Sequence, residues 1–348
     1  MILPGLIDAH VHLRAPGGEQ KEDFRSGTQA ALAGGFTTVL AMPNTNPPLT
    51  TLDSLSIAQH LAASQSLCDV FLYAGASAEG LAELGALANQ CVGLKIYLDE
   101  TYGPLRVKGL DLLERLMQAW PAGKPISLHA EGESVAVGVA LAALYGRPIH
   151  FCHISRRDEI ELIARAKARG LPVTCEVTPH HLFLTEADAA RLGPLGDMRP
   201  RLATQADVDA LWAHLNSTID LIASDHAPHT LAEKTRPGPK GTPPGVPGLE
   251  STLPLLLTAM SEGRLSRERL VALLYTNPRK IFHLPEQKDT WVEVDEQARY
   301  TFPDHPLYTK CGWSPFSGRP MRGAIRRVVL RGLEVFSEGQ VHAHPRPV

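Results

Sequence analysis

The chain has 348 residues, of which 44% are hydrophobic and 20% charged, and its formal net charge at pH 7 is −3. This composition supports a sizeable folded core and excludes a disordered chain. Because no basic block occurs, we expect neither nucleic acid nor an acidic membrane as a partner.

The cellular compartment follows from cysteine usage and from the apolar runs. The five cysteines form no C-x-x-C pair, which favours a reducing environment. No apolar stretch reaches membrane-spanning length, and the N-terminus lacks a basic segment followed by an apolar run. We therefore expect a soluble, cytoplasmic protein.

The first predicted strand lies within Pro4–Arg14 and carries a His-x-His pair. Alternate residues of a strand share a side, so His10 and His12 point the same way. Two such imidazoles can bind one metal ion, with Asp8 as a hydrogen-bonding partner behind them. Taken by itself, the His-x-His motif could also be a pair of buried core histidines that bind no metal and are satisfied by hydrogen bonds.

Seven further strands alternate with helices along the chain. The predicted strands are Phe36–Met42, Asp69–Tyr73, Gly93–Leu98, Pro125–His129, Ile149–Ile154, Pro172–Val177 and Ile219–Ser224. The predicted helices are Glu22–Leu32, Asp53–Ser64, Glu79–Asn89, Leu110–Trp120, Glu133–Leu144, Asp158–Arg169 and Gln205–Leu215. Eight strand–helix alternations predict an α/β fold, a (β/α)8 TIM-type barrel over residues 1–288.

The last part of the chain has a different pattern. A Pro- and Gly-rich segment, Thr230–Gly248, is too long for an ordinary loop and is predicted to face the substrate. Helices at Glu250–Ser261 and Arg267–Leu274 follow. Short strands at Thr290–Val294 and Arg327–Arg331 predict a C-terminal extension, residues 289–348, that packs on the barrel as a small accessory sheet.

Polar side chains fall at the carboxyl ends of the predicted strands, where barrels of this kind place their chemistry. They are His10, His12, Asn44, Lys95, His129, His153, Glu176 and Asp225. Four histidines and an aspartate exceed the needs of one zinc ion and suit two. We expect one ion at His10, His12 and Asp225 and the other at His129 and His153.

Two neighbouring cations need an anion between them, and Lys95 can supply one. Lys95 lies inside an apolar strand, where a charged ammonium would be costly to bury. A neutral lysine amine can take up carbon dioxide and become a carbamate, which is a bridging carboxylate. The alternative is an amine that reaches the barrel rim along its alkyl stem. The need for a bridging anion favours the carbamate.

The segments HVHLR, AMPNT, GLKIY, FCHIS, CEVTPHH and ASDHAPHT resemble, in this order, the dihydroorotases of the amidohydrolase superfamily. The resemblance covers nearly the whole chain and is strongest to the dihydroorotase domain of animal multifunctional pyrimidine-synthesis proteins. It implies a zinc enzyme that interconverts N-carbamoyl-L-aspartate and L-dihydroorotate. It also implies the metal ligands His10, His12, carboxylated Lys95, His129, His153 and Asp225. Asp225 would transfer the proton between the reacting water and the ring nitrogen.

Both of these substrates carry a carboxylate that does not react. Arg14 continues the alternation of His10 and His12 and can bind this group through two hydrogen bonds. The resemblance implies that Asn44 and His229 contact the same carboxylate. It also implies that Arg199 and Pro244 line the rest of the substrate site.

Thr101 and Tyr102 resemble the mobile loop that closes over substrate in this family and excludes water from the reaction. The animal enzymes have Phe at the position of Tyr102.

Cys152 and Glu176 leave two interpretations open. On a regular strand Cys152 points away from its neighbour His153 and packs in the core, while Glu176 accepts hydrogen bonds from imidazoles. The resemblance instead implies a third zinc ion at these two residues, with His129 binding metal through both ring nitrogens.

Two other functions compete with this assignment. Hydantoinases and dihydropyrimidinases share the metals, but their substrates lack the carboxylate that Arg14 would bind. A metal-free barrel kept as an assembly module would have lost ligands, and none is missing. Whether the chain is free-standing or a domain of a larger pyrimidine-synthesis protein stays open. The resemblance implies a homodimer.

Overall fold

The computed structural model describes residues 1–101, 103–236, 238 and 241–342. Its strands, numbered in chain order, are β1 (Ile2–Pro4), β2 (Leu6–Val11), β3 (Phe36–Ala41), β4 (Asp69–Leu72), β5 (Ala74–Gly75), β6 (Leu94–Tyr97), β7 (Ile126–His129), β8 (Ile149–Phe151), β9 (Val173–Val177), β10 (Leu221–Ile222), β11 (Trp291–Thr301), β12 (Pro320–Leu330), β13 (Leu333–Ser337) and β14 (Gln340–Val341).

Its α-helices are α1 (Phe24–Ala33), α2 (Leu52–Gln65), α3 (Leu84–Ala88), α4 (Leu110–Ala119), α5 (Glu133–Tyr145), α6 (Arg157–Ala168), α7 (Pro179–Phe183), α8 (Glu186–Leu192), α9 (Gln205–His214), α10 (Leu231–Thr235), α11 (Leu249–Ser261), α12 (Arg267–Val271) and α13 (Asn277–Ile281). Two 3₁₀ turns lie at Leu81–Glu83 and Gly193–Gly196, and one π turn lies at Ala272–Thr276.

Strands β2 to β10 form the barrel. β2, β3 and β4 pair in parallel, and β5 to β10 pair in parallel in chain order. A parallel bridge between Val11 and His226 joins the two ends of this set. The predicted third strand is divided into β4, which pairs with β3, and β5, which pairs with β6. The (β/α)8 barrel predicted from the alternation is confirmed.

Strands β2 and β3 are buried on both faces, as is typical of parallel barrel strands with largely apolar sequences. All six residues of β2 and all six of β3 are buried. Helix α5 packs very closely on β8, because a Cβ atom at Gly138 would lie 2.4 Å from Cε1 of Phe151. Glycine is the residue that permits this approach. Among the described residues, no helix is long and apolar enough to cross a membrane.

An antiparallel sheet of β1, β11, β12, β13 and β14 lies beside the barrel. Its strands β11 and β12 are longer than the short strands predicted for the C-terminal extension. The sheet also takes in β1 from the N-terminus, with Ile2 paired to Glu293. Helix α11 packs against this sheet, and Gly323 of β12 lies directly over Leu257.

Candidate metal centre and substrate pocket

The predicted metal-binding side chains converge at the carboxyl ends of the barrel strands. His10 belongs to β2, Lys95 to β6, His129 to β7 and Glu176 to β9. His12, Cys152, His153 and Asp225 stand in the turns directly after their strands. All eight side chains are buried.

His10, His12 and Asp225 form the first group. The Oδ1 atom of Asp225 lies 3.3 Å from Nε2 of His10 and 3.1 Å from Nε2 of His12. Asp225 adopts a left-handed backbone conformation with φ +44°, a strained geometry of the kind found at functional sites. Burial raises the pKa of Asp225, but the two imidazoles outweigh it and hold that pKa well below the ordinary value. Two imidazoles and an ionised carboxylate this close together fit a divalent cation.

His129 and His153 form the second group. Nδ1 of His129 lies 2.8 Å from Nε2 of His153. On its other side, Nε2 of His129 lies 3.1 Å from a carboxylate oxygen of Glu131. Burial lowers the pKa of both histidines, that of His153 well below its ordinary value. Neutral imidazoles are the form that binds metal, and a carboxylate behind one of them fixes its orientation.

Lys95 is fully buried in β6, so the alternative of an amine extending to the barrel rim is wrong. Its Nζ donates to Sγ of Cys152 at 2.8 Å and lies 5.1 Å from the ring centroid of Tyr97. Among the residues that the structure describes, no carboxylate lies within ion-pair distance of this amine. A buried amine without a counter-charge fits conversion to a carbamate.

Cys152 does not point away from the centre, so that strand-based expectation is wrong. Its sulfur faces Lys95 and lies with ligand atoms of His10 and Glu176 in a second compact group. Strand β8 ends at Phe151, and His153 has φ +37°. Side chains alternate regularly through Cys152, because His150 reaches Glu176 inside the barrel, Phe151 packs on α5 outside, and the Cys152 thiol points inward again. The residue that leaves the alternation is His153, which its positive φ turns to the same side.

The ring of His10 lies between the two compact groups. Its Nδ1 is 2.5 Å from Oε1 of Glu176, and its Nε2 faces Asp225. Glu176 also accepts from Nε2 of His150 at 3.0 Å. The expectation that His129 links a third ion does not fit this geometry, because both nitrogens of His129 face other partners. His10 is the imidazole whose two nitrogens face the two groups.

Two residues hold the first group in place. Asp8 accepts from the backbone N–H groups of His10 and Ser224, both at 3.1 Å, and so ties the first barrel strand to the last. The amide oxygen of Asn44 lies 2.6 Å from Nδ1 of His12 and orients that ring. The sequence predicts Asn44 as a substrate contact. No sequence pattern indicates its second role, the orientation of the His12 ring.

A cavity opens directly above these groups. Among the predicted substrate residues, the ones that line it are Arg14, Asn44, Thr101, Arg199 and Pro244. The predicted loop residue Tyr102 lies outside the described residues. The Arg199 guanidinium donates to the carboxylate of Asp197 and to the carbonyl of Met198, which fixes it at the cavity wall.

His229 lies behind this wall. Its Nε2 is 3.1 Å from a guanidinium nitrogen of Arg14 and 3.1 Å from the carbonyl oxygen of Pro244. Burial and the nearby cations Arg14 and Lys21 lower the pKa of His229 far below its ordinary value. The ring is therefore neutral.

Three residues of the site were missed in the sequence. His180 lines the cavity, and its buried Nε2 has no hydrogen-bond partner within the described part of the chain. Glu131 lies two residues after His129, so the strand alternation could have indicated it. Lys21 contacts His229 across more than 200 residues of sequence, and no local pattern indicates that contact.

Residues 1–112 match the family model described as dihydro-orotase-like. The chain is 50% identical to the multifunctional protein CAD of Squalus acanthias over 344 residues, which is 99% of this chain and 15% of that protein. It is 34% identical to the dihydroorotase of Pyrococcus furiosus, with 99% of this chain and 84% of that protein covered. The chain thus spans only about a seventh of the multifunctional relatives that it matches.

Solved structures give the same architecture. The L-hydantoinase of Arthrobacter aurescens superposes with a TM-score of 0.92 at 28% identity, covering 98% of this chain and 86% of that one. The inactive dihydroorotase-like domain of a CAD-like multifunctional protein from Chaetomium thermophilum superposes with a TM-score of 0.84 at 29% identity. The superposition covers 100% of this chain and 97% of that one.

Proposed function

The chain belongs to the dihydroorotase family, and we propose that it interconverts N-carbamoyl-L-aspartate and L-dihydroorotate in pyrimidine biosynthesis. The observation that carries this proposal is the position of Arg14. Its guanidinium lines the same small cavity as the two histidine groups and Asp225. The site thus pairs metal-binding groups with a cation for the unreactive carboxylate.

The proposed ligands of two zinc ions are His10, His12, Asp225, His129 and His153, with carboxylated Lys95 between the ions. Three observations support these ligands. His10, His12 and Asp225 bring their ligand atoms close together, and the amine of Lys95 is fully buried. Nδ1 of His153 is buried and has no hydrogen-bond partner among the described residues. When bound, such ions would polarise the scissile carbonyl and lower the pKa of a water molecule to near neutral.

Asp225 is the proposed proton carrier. Asp225 lines the cavity, and its Oδ1 lies between the Nε2 atoms of His10 and His12. An ionised carboxylate in that position can remove the proton from the ureido nitrogen during ring closure. In the hydrolytic direction it returns a proton to the leaving ring nitrogen.

Arg14, neutral His229 and Asn44, which lines the cavity beside His12, are the proposed binding groups for the substrate carboxylate. Arg199 and Pro244 are proposed to hold the rest of the substrate, and Thr101 with Tyr102 to close over it. A bidentate guanidinium contact fixes the carboxylate in position as well as in charge. This places the amide to be opened or closed over the metal groups.

A third zinc ion at Cys152, Glu176 and His10 extends the proposal. The inward thiol of Cys152 and the close approach of these ligand atoms support it. The hydrogen bonds that Glu176 receives from His10 and His150 support the simpler alternative, in which this carboxylate only orients imidazoles.

The other proposed functions are weaker. The superposition on a hydantoinase supports a hydantoin or dihydropyrimidine substrate, but such rings give Arg14 no carboxylate to bind. An inactive assembly module is the second alternative, but every predicted ligand is present and buried.

The domain context, the oligomeric state and the cellular compartment are also part of the proposal. The multifunctional relatives support a domain within a larger pyrimidine-synthesis protein, and the family resemblance supports a homodimer. Five buried free cysteines support the cytoplasm.

The test measures formation of L-dihydroorotate from N-carbamoyl-L-aspartate by three samples: untreated protein, chelated protein, and chelated protein given zinc and bicarbonate. Activity that is lost on chelation and restored by zinc would support the proposal. Full activity in the chelated sample would refute the metal-dependent mechanism.

A further inference from the structure

The buried imidazole of His229 lies between two cations. Its Nε2 is 3.1 Å from a guanidinium nitrogen of Arg14, and its Nδ1 is 3.3 Å from Nζ of Lys21. All three side chains are buried. A second proton on this ring would place three positive charges in contact, so the ring carries one proton, on one of its two nitrogens.

The contacts distinguish the two tautomers. With the proton on Nε2, the ring donates to the carbonyl oxygen of Pro244, and Nδ1 accepts from the ammonium of Lys21. In this tautomer the contact between Nε2 and Arg14 is unfavourable, because an N–H donor of the ring faces an N–H donor of the guanidinium. With the proton on Nδ1, only the Arg14 contact is a hydrogen bond. Nδ1–H then faces the ammonium of Lys21, and the Nε2 lone pair faces the carbonyl of Pro244. Of these three contacts, the Nε2–H tautomer therefore satisfies two and the alternative satisfies one.

The Lys21 ammonium is itself held against the segment that carries His229. It pairs with Oε1 of Glu233 at 3.0 Å. The other oxygen of Glu233 accepts from the backbone N–H and the hydroxyl of Thr230, and so caps helix α10. Thr230 directly follows His229, so Lys21 is fixed by the same turn that positions the imidazole.

The one opposed contact indicates what the site binds. Arg14, which lines the cavity, and Nε2–H of His229, directly behind it, are two donors 3.1 Å apart. A carboxylate that enters beside them can accept from Arg14 and, in place of the Pro244 carbonyl, from Nε2–H of His229. The unfavourable contact between the two donors is then bridged by an acceptor.

We propose that Lys21 is a positioning residue that keeps the His229 proton on Nε2, so that His229 and Arg14 bind the substrate carboxylate together. This inference rests on the proposed dihydroorotase function for its consequence in catalysis. The tautomer itself is independent of that function and can be measured directly.

The first test is long-range ¹H–¹⁵N NMR of zinc-loaded protein labelled at histidine, with His229 assigned by comparison with His229→Asn. We expect the proton on Nε2 in the wild type and a shift toward Nδ1 in Lys21→Met. A proton on Nδ1 in the wild type, or an unchanged tautomer in Lys21→Met, would overturn the proposal. A wild type that shows the Nε2–H tautomer but no turnover would count against the proposed function alone.

The second test separates positioning from folding by kinetics. Lys21→Met should raise KM for L-dihydroorotate about tenfold, the effect of one lost hydrogen bond, with kcat and zinc content little changed. Lys21→Gln keeps a donor for Nδ1 without the charge and should recover most of the KM. The control Lys310→Met removes a cation that contacts Glu19 and Asp23 rather than His229. An unchanged KM in Lys21→Met, or equal defects in Lys21→Met and Lys310→Met, would overturn the proposal.

Discussion

The Nζ atom of Lys95 lies 2.8 Å from the sulfur of Cys152, in the buried centre of the barrel. The amine of Lys95 supplies no negative charge to balance the cations that the surrounding histidines and carboxylates would bind. Conversion of the amine to a carbamate adds a negative charge at that point. The contact therefore links the proposed bridge between two zinc ions to the proposed third site.

Lys95→Ala should lose most of its bound zinc and most of its activity, because it lacks the anion between the metal groups. Short carboxylic acids added to this variant should restore part of the activity by occupying the space of the carbamate. Zinc content is measured by elemental analysis and activity by ring opening of L-dihydroorotate. Wild-type zinc content in Lys95→Ala, or a plain ammonium beside two fully occupied metal positions in a crystal structure, would contradict the bridge.

Cys152→Ser tests the third metal position. Protein purified without chelator should contain about three zinc ions per chain, and this variant about two, because thiolate is a much better zinc ligand than hydroxyl. Cys175→Ser is the matched control, since Cys175 is a buried thiol of the neighbouring strand that faces the carbonyl of Thr218 instead. Equal zinc content in the wild type and Cys152→Ser would leave Glu176 with only its role of orienting His10 and His150.

Arg14→Met tests recognition of the carboxylate. Loss of a charge-assisted bidentate contact costs about 2–4 kcal/mol, so kcat/KM for L-dihydroorotate should fall roughly 30- to several-hundred-fold at unchanged zinc content. Arg201→Met, an exposed arginine near the same rim, serves as the control. Wild-type efficiency in Arg14→Met would mean that another group binds the carboxylate.

Glu250 gives the fold a predictable pH dependence. Burial raises the pKa of its carboxyl to about 8, although the backbone N–H groups of Tyr308 and Thr309 donate to it. The folded state thus holds a proton that the unfolded chain releases above its ordinary pKa of 4.5. The free energy of unfolding should therefore fall as pH rises from about 4.5 to about 8, by at most about 1.4 kcal/mol per pH unit.

Glu250→Gln stays neutral and should lack this contribution. Denaturant unfolding at fixed ionic strength across that pH range measures the difference between the two proteins. Glu262→Gln, at the exposed end of the same helix, should follow the wild type. Parallel curves for wild type and Glu250→Gln would contradict the assigned pKa.

The barrel could be predicted because each strand and helix carries its own local pattern. Errors arose where distant residues decide the structure. Helix α1 begins at Phe24 rather than Glu22 because Asp23 caps it and because Glu22 turns inward to Thr309 and His226. Strand β1 was missed because its partner β11 lies about 290 residues away.

The site was predictable in its ligands but not in their orientations. His10 and His12 reach the same side of the site, as the strand pattern predicts, although the pairing of β2 with β3 shifts register between Asp8 and Val11. That Cys152 and His153 both face the site depends on backbone that leaves the regular strand at His153, as its positive φ shows. The link through His10 depends on Glu176 and Asp225 reaching its ring from other strands. Contacts such as that of Lys21 with His229 depend on two loops meeting, and no spacing in the sequence encodes them.

The most direct test of the proposed function compares the zinc-loaded protein on four substrates: L-dihydroorotate, N-carbamoyl-L-aspartate, hydantoin and dihydrouracil. We expect reversible turnover of the first two, with kcat/KM for L-dihydroorotate at least about 100-fold above that for either ring without the carboxylate. Equal or better turnover of hydantoin or dihydrouracil, or no turnover of any substrate at full zinc content, would contradict the assignment.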